Sequence, residues 1–374
     1  MHQTVSYMIR VRMVKGPAKV VVNGVCHILG TDVSGQTVNV RAGKALPFEL
    51  GNRCRLQARL GLGARLWWAH PNHAGTSMWR SIAQQVSTLA AGKKITVMLV
   101  GATDTGKSTL TTYLANMAIR RGIVPCVIDG DIGQGDLAPP TAVGGAILSK
   151  QVLDLRDVST TTTTMFEFVG SITPAGLEGL IAKKLRSILD WISPLANITI
   201  VNTDGYVSNG GVQYKAILAK ELQPDAIISL GENRALFDTL ETGPWQVMRG
   251  RPSSQTYKSR LERLSRRLDQ FLRYIGNGSF TAELSRVNVV YMGKLFSPSE
   301  LLFQLPVMQL KQESMNRLFV GLGSNGKVVG FGIIINVTPD RGIIHIQTDI
   351  NPFDTIYLSN IRLSSDRIME TRLT

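Results

Sequence analysis

The chain has 374 residues, a length that fits two or three domains. Hydrophobic residues make up 44% and charged residues 18%, which allows a buried core and excludes wholesale disorder. The net charge of +14 is concentrated: residues 1–80 hold 11 basic and 2 acidic residues, residues 246–275 hold 8 and 2, and the remainder is near neutral.

Two basic regions on a near-neutral body point to a polyanion partner; an ordinary solvated face is the alternative. No stretch approaches the roughly 18 apolar residues of a membrane span. The first fifteen residues carry Arg10, Arg12 and Lys15 without a following apolar run, so they do not read as a signal peptide. Cys26, Cys54 and Cys126 are odd in number and widely spaced, which excludes a disulfide scaffold or a clustered cysteine metal site. The expected location is cytoplasmic, or nuclear in a eukaryote, and not secreted.

Residues 5–68 read as β structure. Val20, Val21 and Val22 run into the turn pair Asn23-Gly24, and Val38-Asn39-Val40 alternates. Residues 69–94 form a connector, helical from Trp79 to Ala91. His70 and His73 near Trp67 and Trp68 lack a third ligand nearby and read as packing or loop residues.

From Ile95 the pattern changes. Strand-length apolar runs at Ile95–Val100, Pro125–Ile128, Phe166–Val169, Ile198–Val201, Ala226–Leu230 and Trp245–Met248 alternate with helical segments. This predicts a parallel sheet covered on both faces. After the first strand comes Gly101-Ala102-Thr103-Asp104-Thr105-Gly106-Lys107-Ser108-Thr109. It matches G-x-x-x-x-G-K-[S/T], with a strand before it and a helix after it. Glycines let the backbone N–H groups cradle phosphate at a helix N-terminus. Lys107 then faces the β- and γ-phosphates, and the Ser108 hydroxyl can ligate Mg²⁺. The second strand delivers Asp129 and Asp131 at its C-terminal end, where parallel sheets place ligands. A turn at Gly130 would separate them, one for Mg²⁺ and one for a second substrate.

The Thr160–Thr164 run reads as a polar loop. Residues 258–275 form an Arg-rich amphipathic helix, with Arg263 and Arg267 four apart on one face and only Glu262 and Asp269 as local acidic partners. From Val287 onward, strand-like runs indicate a small C-terminal β domain. The expected fold is α/β: a central P-loop NTPase domain with a parallel sheet, flanked by small N-terminal and C-terminal β domains. The boundaries fall at residues 1–75, 76–280 (with the helix at 257–275) and 281–374.

Four blocks together resemble the polynucleotide 5′-hydroxyl kinase family, which includes the kinase subunit of the pre-mRNA cleavage factor, related RNA-processing kinases and archaeal-type polynucleotide kinases. They are Thr103–Thr109, Asp131-Ile132-Gly133-Gln134-Gly135, Phe168–Pro174 and Val201-Asn202-Thr203-Asp204-Gly205-Tyr206. The resemblance implies ATP-dependent phosphorylation of the 5′-hydroxyl of RNA or DNA, with GTP as an alternative to ATP. It makes Asp131 the base that takes the 5′-hydroxyl proton. Lys107 and Ser108 hold phosphates and Mg²⁺, and the metal is shared with Asp129. Arg263 and Arg267 lie on a catalytic lid. Gln134, Thr173, Pro174 and Tyr206 meet the nucleic-acid end. Many members carry Trp at the Tyr206 position, so here a smaller ring must do the stacking. Lys44 resembles a residue that reaches the nucleotide base or ribose. The resemblance also leaves room for RNA-processing protein partners, and for no membrane.

Two other readings compete. One is a non-catalytic scaffold that keeps ATP bound in an RNA-processing complex. The other is a P-loop partition or maturation ATPase; such proteins typically carry an extra lysine early in the loop, which Ala102-Thr103-Asp104-Thr105 lacks.

Overall fold

The computed structural model describes residues 10–158, 164–252, 257–296, 315–338, 341–364 and 368–370. The Thr160–Thr164 run lies outside them except for Thr164.

Eight strands come first: β1 Arg10–Lys15, β2 Ala18–Asn23, β3 Cys26–Ile28, β4 Thr31–Asp32, β5 Thr37–Val40, β6 Ala45–Leu50, β7 Arg55–Leu60 and β8 Arg65–Ala69. They form two sheets, β4-β3-β6-β1-β8 and β5-β2-β7. Alternation turns Val14, Leu46 and Phe48 of one sheet and Val20, Val22, Val38 and Val40 of the other into a common core. The turn at Asn23-Gly24 exists, but β2 and β3 lie in different sheets, so it joins sheets instead of closing a hairpin.

The connector holds α1 Pro71–Ala74 and α2 Thr76–Leu89. Helix α2 starts earlier than Trp79 because Gly75, at φ 81°, reverses the chain just before it. Its Trp79, Ile82, Ala83 and Val86 recur every three or four residues and are buried.

The central strands are β9 Ile95–Gly101, β10 Pro125–Gly130, β11 Ala142–Ile147, β12 Thr164–Phe168, β13 Ile198–Thr203, β14 Ala226–Leu230 and β15 Gln246–Gly250. Their helices are α3 Lys107–Arg120, α4 Glu178–Ile192, α5 Gly211–Leu222 and α6 Arg234–Glu241. The order is β15-β14-β9-β13-β10-β11-β12. The first five strands pair parallel, as expected. Strand β11 is an addition to the expectation and pairs antiparallel with both β10 and β12. Its sequence, Ala-Val-Gly-Gly-Ala-Ile, carries little strand propensity. Gly145 is needed there because a Cβ would sit 2.6 Å from Ile188 of α4.

The rest comprises α7 Arg260–Arg273 and eight strands: β16 Ser279–Glu283, β17 Asn288–Tyr291, β18 Lys294–Phe296, β19 Leu318–Ser324, β20 Lys327–Thr338, β21 Ile343–Gln347, β22 Thr355–Leu363 and β23 Ile368–Glu370. They continue the central sheet through one pairing, Phe166 of β12 with Val328 of β20. Aromatic rings pack at this junction: Phe271 of α7 lies 4.7 Å from Phe319, and Tyr274 lies 5.5 Å from Phe331. The far end of the Arg-rich helix is therefore rooted in the C-terminal strands. Among the described residues no helix is long and apolar enough to cross a membrane.

Candidate functional site: a phosphate cradle under an arginine helix

Strand β9 ends at Gly101, whose φ of 147° and close approach to the Leu230 carbonyl leave no room for a Cβ. The loop then turns through Asp104 at φ 63° and Gly106 at φ 92° into α3. No side chain caps α3, so its first N–H groups face the cavity. Lys107 opens the helix and donates to the carbonyls of Gly101 and Ala102 at 2.8 and 2.7 Å. Burial pushes its ammonium down to about 8, while the nearby Asp131 opposes the shift.

Parallel pairing of β10 with β13 sets Asp129 beside Asn202. Asn202 Nδ2 donates to Asp129 Oδ1 at 3.0 Å and to Ser108 Oγ at 3.3 Å. Asp129 Oδ2 accepts the N–H of Asp136 at 2.6 Å. Asp129 is 2% exposed, and burial, with Asp136 and Asp131 nearby, pushes its carboxyl up to about 7. The turn at Gly130 separates the two aspartates. Asp131 faces the cavity, and its Oδ1 accepts the N–H groups of Gly133 and Gln134 at 3.0 and 2.9 Å.

Two further strand ends complete the walls. After β12, Ser171 Oγ accepts the Thr173 N–H at 3.1 Å, a tight turn that brings Ile172 and Pro174 to the cavity. After β13, Asp204 Oδ1 accepts Tyr206 N–H and Lys215 Nζ, each at 2.8 Å. Gly205 fits because a Cβ would lie 2.2 Å from Thr103 Oγ1. The Tyr206 hydroxyl donates to the Asn209 carbonyl, and its ring sits 6.2 Å from Tyr214.

Helix α7 covers the loop. Ser259 and Glu262 form a reciprocal cap at its start. The expectation of only local acidic partners for its arginines is corrected: the partners come from the loops that follow β9 and β10. Arg263 Nη2 donates to Asp104 Oδ2 at 2.7 Å, and Arg266 pairs with buried Asp136. Arg267 Nε donates to the Gly133 carbonyl at 3.0 Å. Lys258, just before the helix, lies 3.7 Å from Asp104, and burial lowers its ammonium to about 8.

The resulting cavity measures about 370 Å³. Of the expected residues, Thr103, Asp104, Gly106, Lys107, Ser108, Thr109, Asp131, Gln134, Pro174, Tyr206 and Arg267 line it. Gly101, Ala102 and Thr105 form the loop behind it, and Asp129 sits beneath Ser108. Thr173 and Arg263 stand outside the lining. Lys44 also stands outside it, with Nζ 4.0 Å from Asp154 Oδ2. The His70 ring accepts the Asn72 N–H at 3.3 Å, as a loop residue does. Sequence reasoning passed over Lys258, Arg266, Asn202 and Asp204 as lining or supporting residues. The last two lie within a block it had singled out; the parallel register sets Asn202 beside Asp129, and helix α5 brings Lys215 to Asp204.

A glycine loop closing on a buried lysine, with carboxylates at the C-terminal ends of neighbouring parallel strands, defines a P-loop nucleotide-binding protein. Residues 101–277 match the family described as mRNA cleavage and polyadenylation factor CLP1 P-loop. A polyribonucleotide 5′-hydroxyl-kinase of Pyrococcus horikoshii is 28% identical over 285 residues, covering 75% of this chain and 76% of its own. The polyribonucleotide 5′-hydroxyl-kinase Clp1 of Xenopus tropicalis is 24% identical over 365 residues, covering 89% of this chain and 77% of its own. A solved complex of Clp1p with Pcf11p shares the fold, with a TM-score of 0.73 at 13% identity over 94% of this chain and 96% of that one.

Proposed function

We propose that the chain transfers the γ-phosphoryl group of ATP to the 5′-hydroxyl of RNA, with DNA as a second acceptor. The observation that carries this reading is Asp131, which faces the cavity opposite Lys107 with Gln134, Pro174 and Tyr206 beside it. A pure ATPase has no use for that wall. Asp131 accepts the hydroxyl proton as the new O–P bond forms, and the bond to the departing ADP breaks. Lys107 leaves its two carbonyl partners for the β- and γ-phosphates. Arg267 and Lys258 meet the charge of the migrating group.

The donor set fits Mg²⁺. Ser108 Oγ and Asp129 are hard oxygen donors joined through Asn202, and a cation would relieve the crowding of Asp129, Asp131 and Asp136. When bound, Mg²⁺ neutralises charge on the β- and γ-phosphates. Pro174 and Tyr206 contact the terminal nucleotide, and Thr173 acts through the turn that holds Pro174. Lys44, directed at Asp154, is not part of the proposed nucleotide contact. Residues 1–75, 76–280 and 281–374 serve as N-terminal, kinase and C-terminal units.

The test is incubation with γ-labelled ATP and 5′-hydroxyl oligonucleotides, with Lys107→Ala as control. Label on the oligonucleotide, lost in the variant, is the expected result. Free phosphate alone would mean an ATPase, and retained ATP with neither would mean a scaffold.

A further inference from the structure

Residues 1–80 contain only two acids, and both are engaged: Asp32 accepts from Ser34, and Glu49 pairs with Arg80. The basic residues there are arranged across strands. In the β2–β7 register Lys19 stands directly opposite Arg59, and Arg55 lies four residues further along the same face. All three are exposed. In the β1–β8 register Lys15 stands directly opposite Arg65. Like charges directly opposed on antiparallel strands destabilise a sheet. No carboxylate pairs with Lys19, Arg55, Arg59 or Arg65 among the described residues. Folding alone therefore gains nothing from them.

The two like-charged pairs are neighbours. The chain passes from Lys15 to Lys19 through Gly16-Pro17, and from Arg59 to Arg65 through a turn whose Gly61 N–H donates to the Pro17 carbonyl at 2.8 Å. At its inner end the row touches the site, because Lys15 pairs with Glu262 at the start of α7. At roughly 3.3 Å per residue, the step from Arg59 to Arg55 along β7 spans roughly 13 Å, and the Lys15–Arg65 pair extends the row beyond Gly16-Pro17. Thr37, Asn39 and Gln57 beside it offer hydrogen bonds, and the turn between Arg59 and Arg65 also exposes Leu60 and Leu62, an apolar rim to the row.

We propose that Lys15, Arg65, Lys19, Arg59 and Arg55 form a track for the RNA backbone. It engages nucleotides downstream of the 5′ end and gives longer acceptors extra affinity. The proposal rests on the kinase reading for its orientation. Charge complementarity and continuity with α7 select RNA as the occupant.

The test uses the full chain with Lys19→Gln, Arg55→Gln and Arg59→Gln combined. These side chains are exposed and outside the cavity, and Lys15 is spared because it holds Glu262. Binding of 5′-hydroxyl RNAs of about 4 and about 20 nucleotides is read by anisotropy at several salt concentrations, and transfer is read in parallel. The variant should bind the long RNA on the order of tenfold more weakly. Its log–log salt slope should be shallower by about 2, the value for three lost phosphate contacts. The short RNA should bind and react as in the unaltered protein. The triple Lys19→Arg, Arg55→Lys, Arg59→Lys protein should regain the long-RNA affinity. Unchanged long-RNA binding would overturn the track, and so would equal losses on both lengths. If the unaltered protein prefers long RNA in this way but transfers no phosphate, the track stands and the kinase reading fails.

Discussion

Arg263 of α7 and Asp104 of the phosphate loop, 159 residues apart in the chain, are joined by a 2.7 Å hydrogen-bonded ion pair. The same carboxylate also accepts the backbone N–H of Lys258 at 3.1 Å. Asp104 is thus the point at which the loop holds the start of the helix. Removing either partner of the pair should remove most of its effect. Asp104→Asn and Arg263→Gln should therefore be non-additive in a double-mutant cycle, with a coupling of about 1 kcal/mol, because Arg263 is partly solvated. Denaturant unfolding of the four proteins measures it, and additive losses would show that the contact does not fasten the helix.

Arg267 lines the cavity, whereas Arg263 does not. Arg267→Ala should lower kcat by about 10²–10³ with little change in KM for ATP, because its attraction grows as the phosphoryl group migrates. Steady-state kinetics with a saturating acceptor provide the check. A change confined to KM would make it a ground-state binding residue.

Arg266 neighbours Arg267 in sequence but is a different kind of residue. It is 8% exposed and paired with Asp136, which is 1% exposed. Truncating it leaves the buried carboxylate to the more distant Arg156, 3.7 Å away, so Arg266→Ala should cost about 3 kcal/mol of stability, the lower end for breaking a buried pair. Arg267→Ala should cost less than about 1 kcal/mol. Chemical denaturation of both variants decides, and equal stabilities would contradict the buried pairing.

Asp131→Asn keeps the size of the side chain but cannot take a proton. Transfer should fall by at least about 10²-fold while ATP and oligonucleotide binding survive. The defect of Asp129→Asn should ease at high Mg²⁺, and that of Asp131→Asn should not. Rescue of Asp131→Asn instead would exchange the two roles.

The Asp129 carboxyl is raised in the fold from the ordinary carboxylate range to about 7. Between about pH 4 and about pH 7 the native state therefore binds more protons at this group than the unfolded chain does, and its contribution to stability falls as pH rises. In the presence of a chelator, Asp129→Asn should gain Tm relative to the unaltered protein on going from about pH 5 to about pH 8. Mg²⁺ with nucleotide should shrink that gain. A pH-independent Tm difference would mean that Asp129 does not titrate in this range.

The parallel half of the central sheet was legible because Ile95–Val100, Ile198–Val201 and Ala226–Leu230 are apolar on both faces and bounded by turns. The phosphate cradle was legible because its glycines, lysine and hydroxyl sit at fixed spacing. Strand β11 was not, since Gly145 answers to a helix side chain and Gly144 to the Leu137-Ala138 loop, which no local pattern announces. The partners of the arginines were hidden for a related reason. Asp104 and Asp136 lie more than a hundred residues from α7, and only the folded sheet brings them together. Likewise, the separation of Lys44 from the cavity depends on Asp154, which carries no motif.

The single pairing of Phe166 with Val328 has a consequence for handling the protein. Without the C-terminal strands, β12 would be an open edge, its backbone donors and acceptors available to any extended chain. The same cut would strip Phe319 and Phe331 from Phe271 and Tyr274. A protein shortened after α7 would thus present a ragged sheet and a greasy helix at once, the two ingredients of self-association in solution.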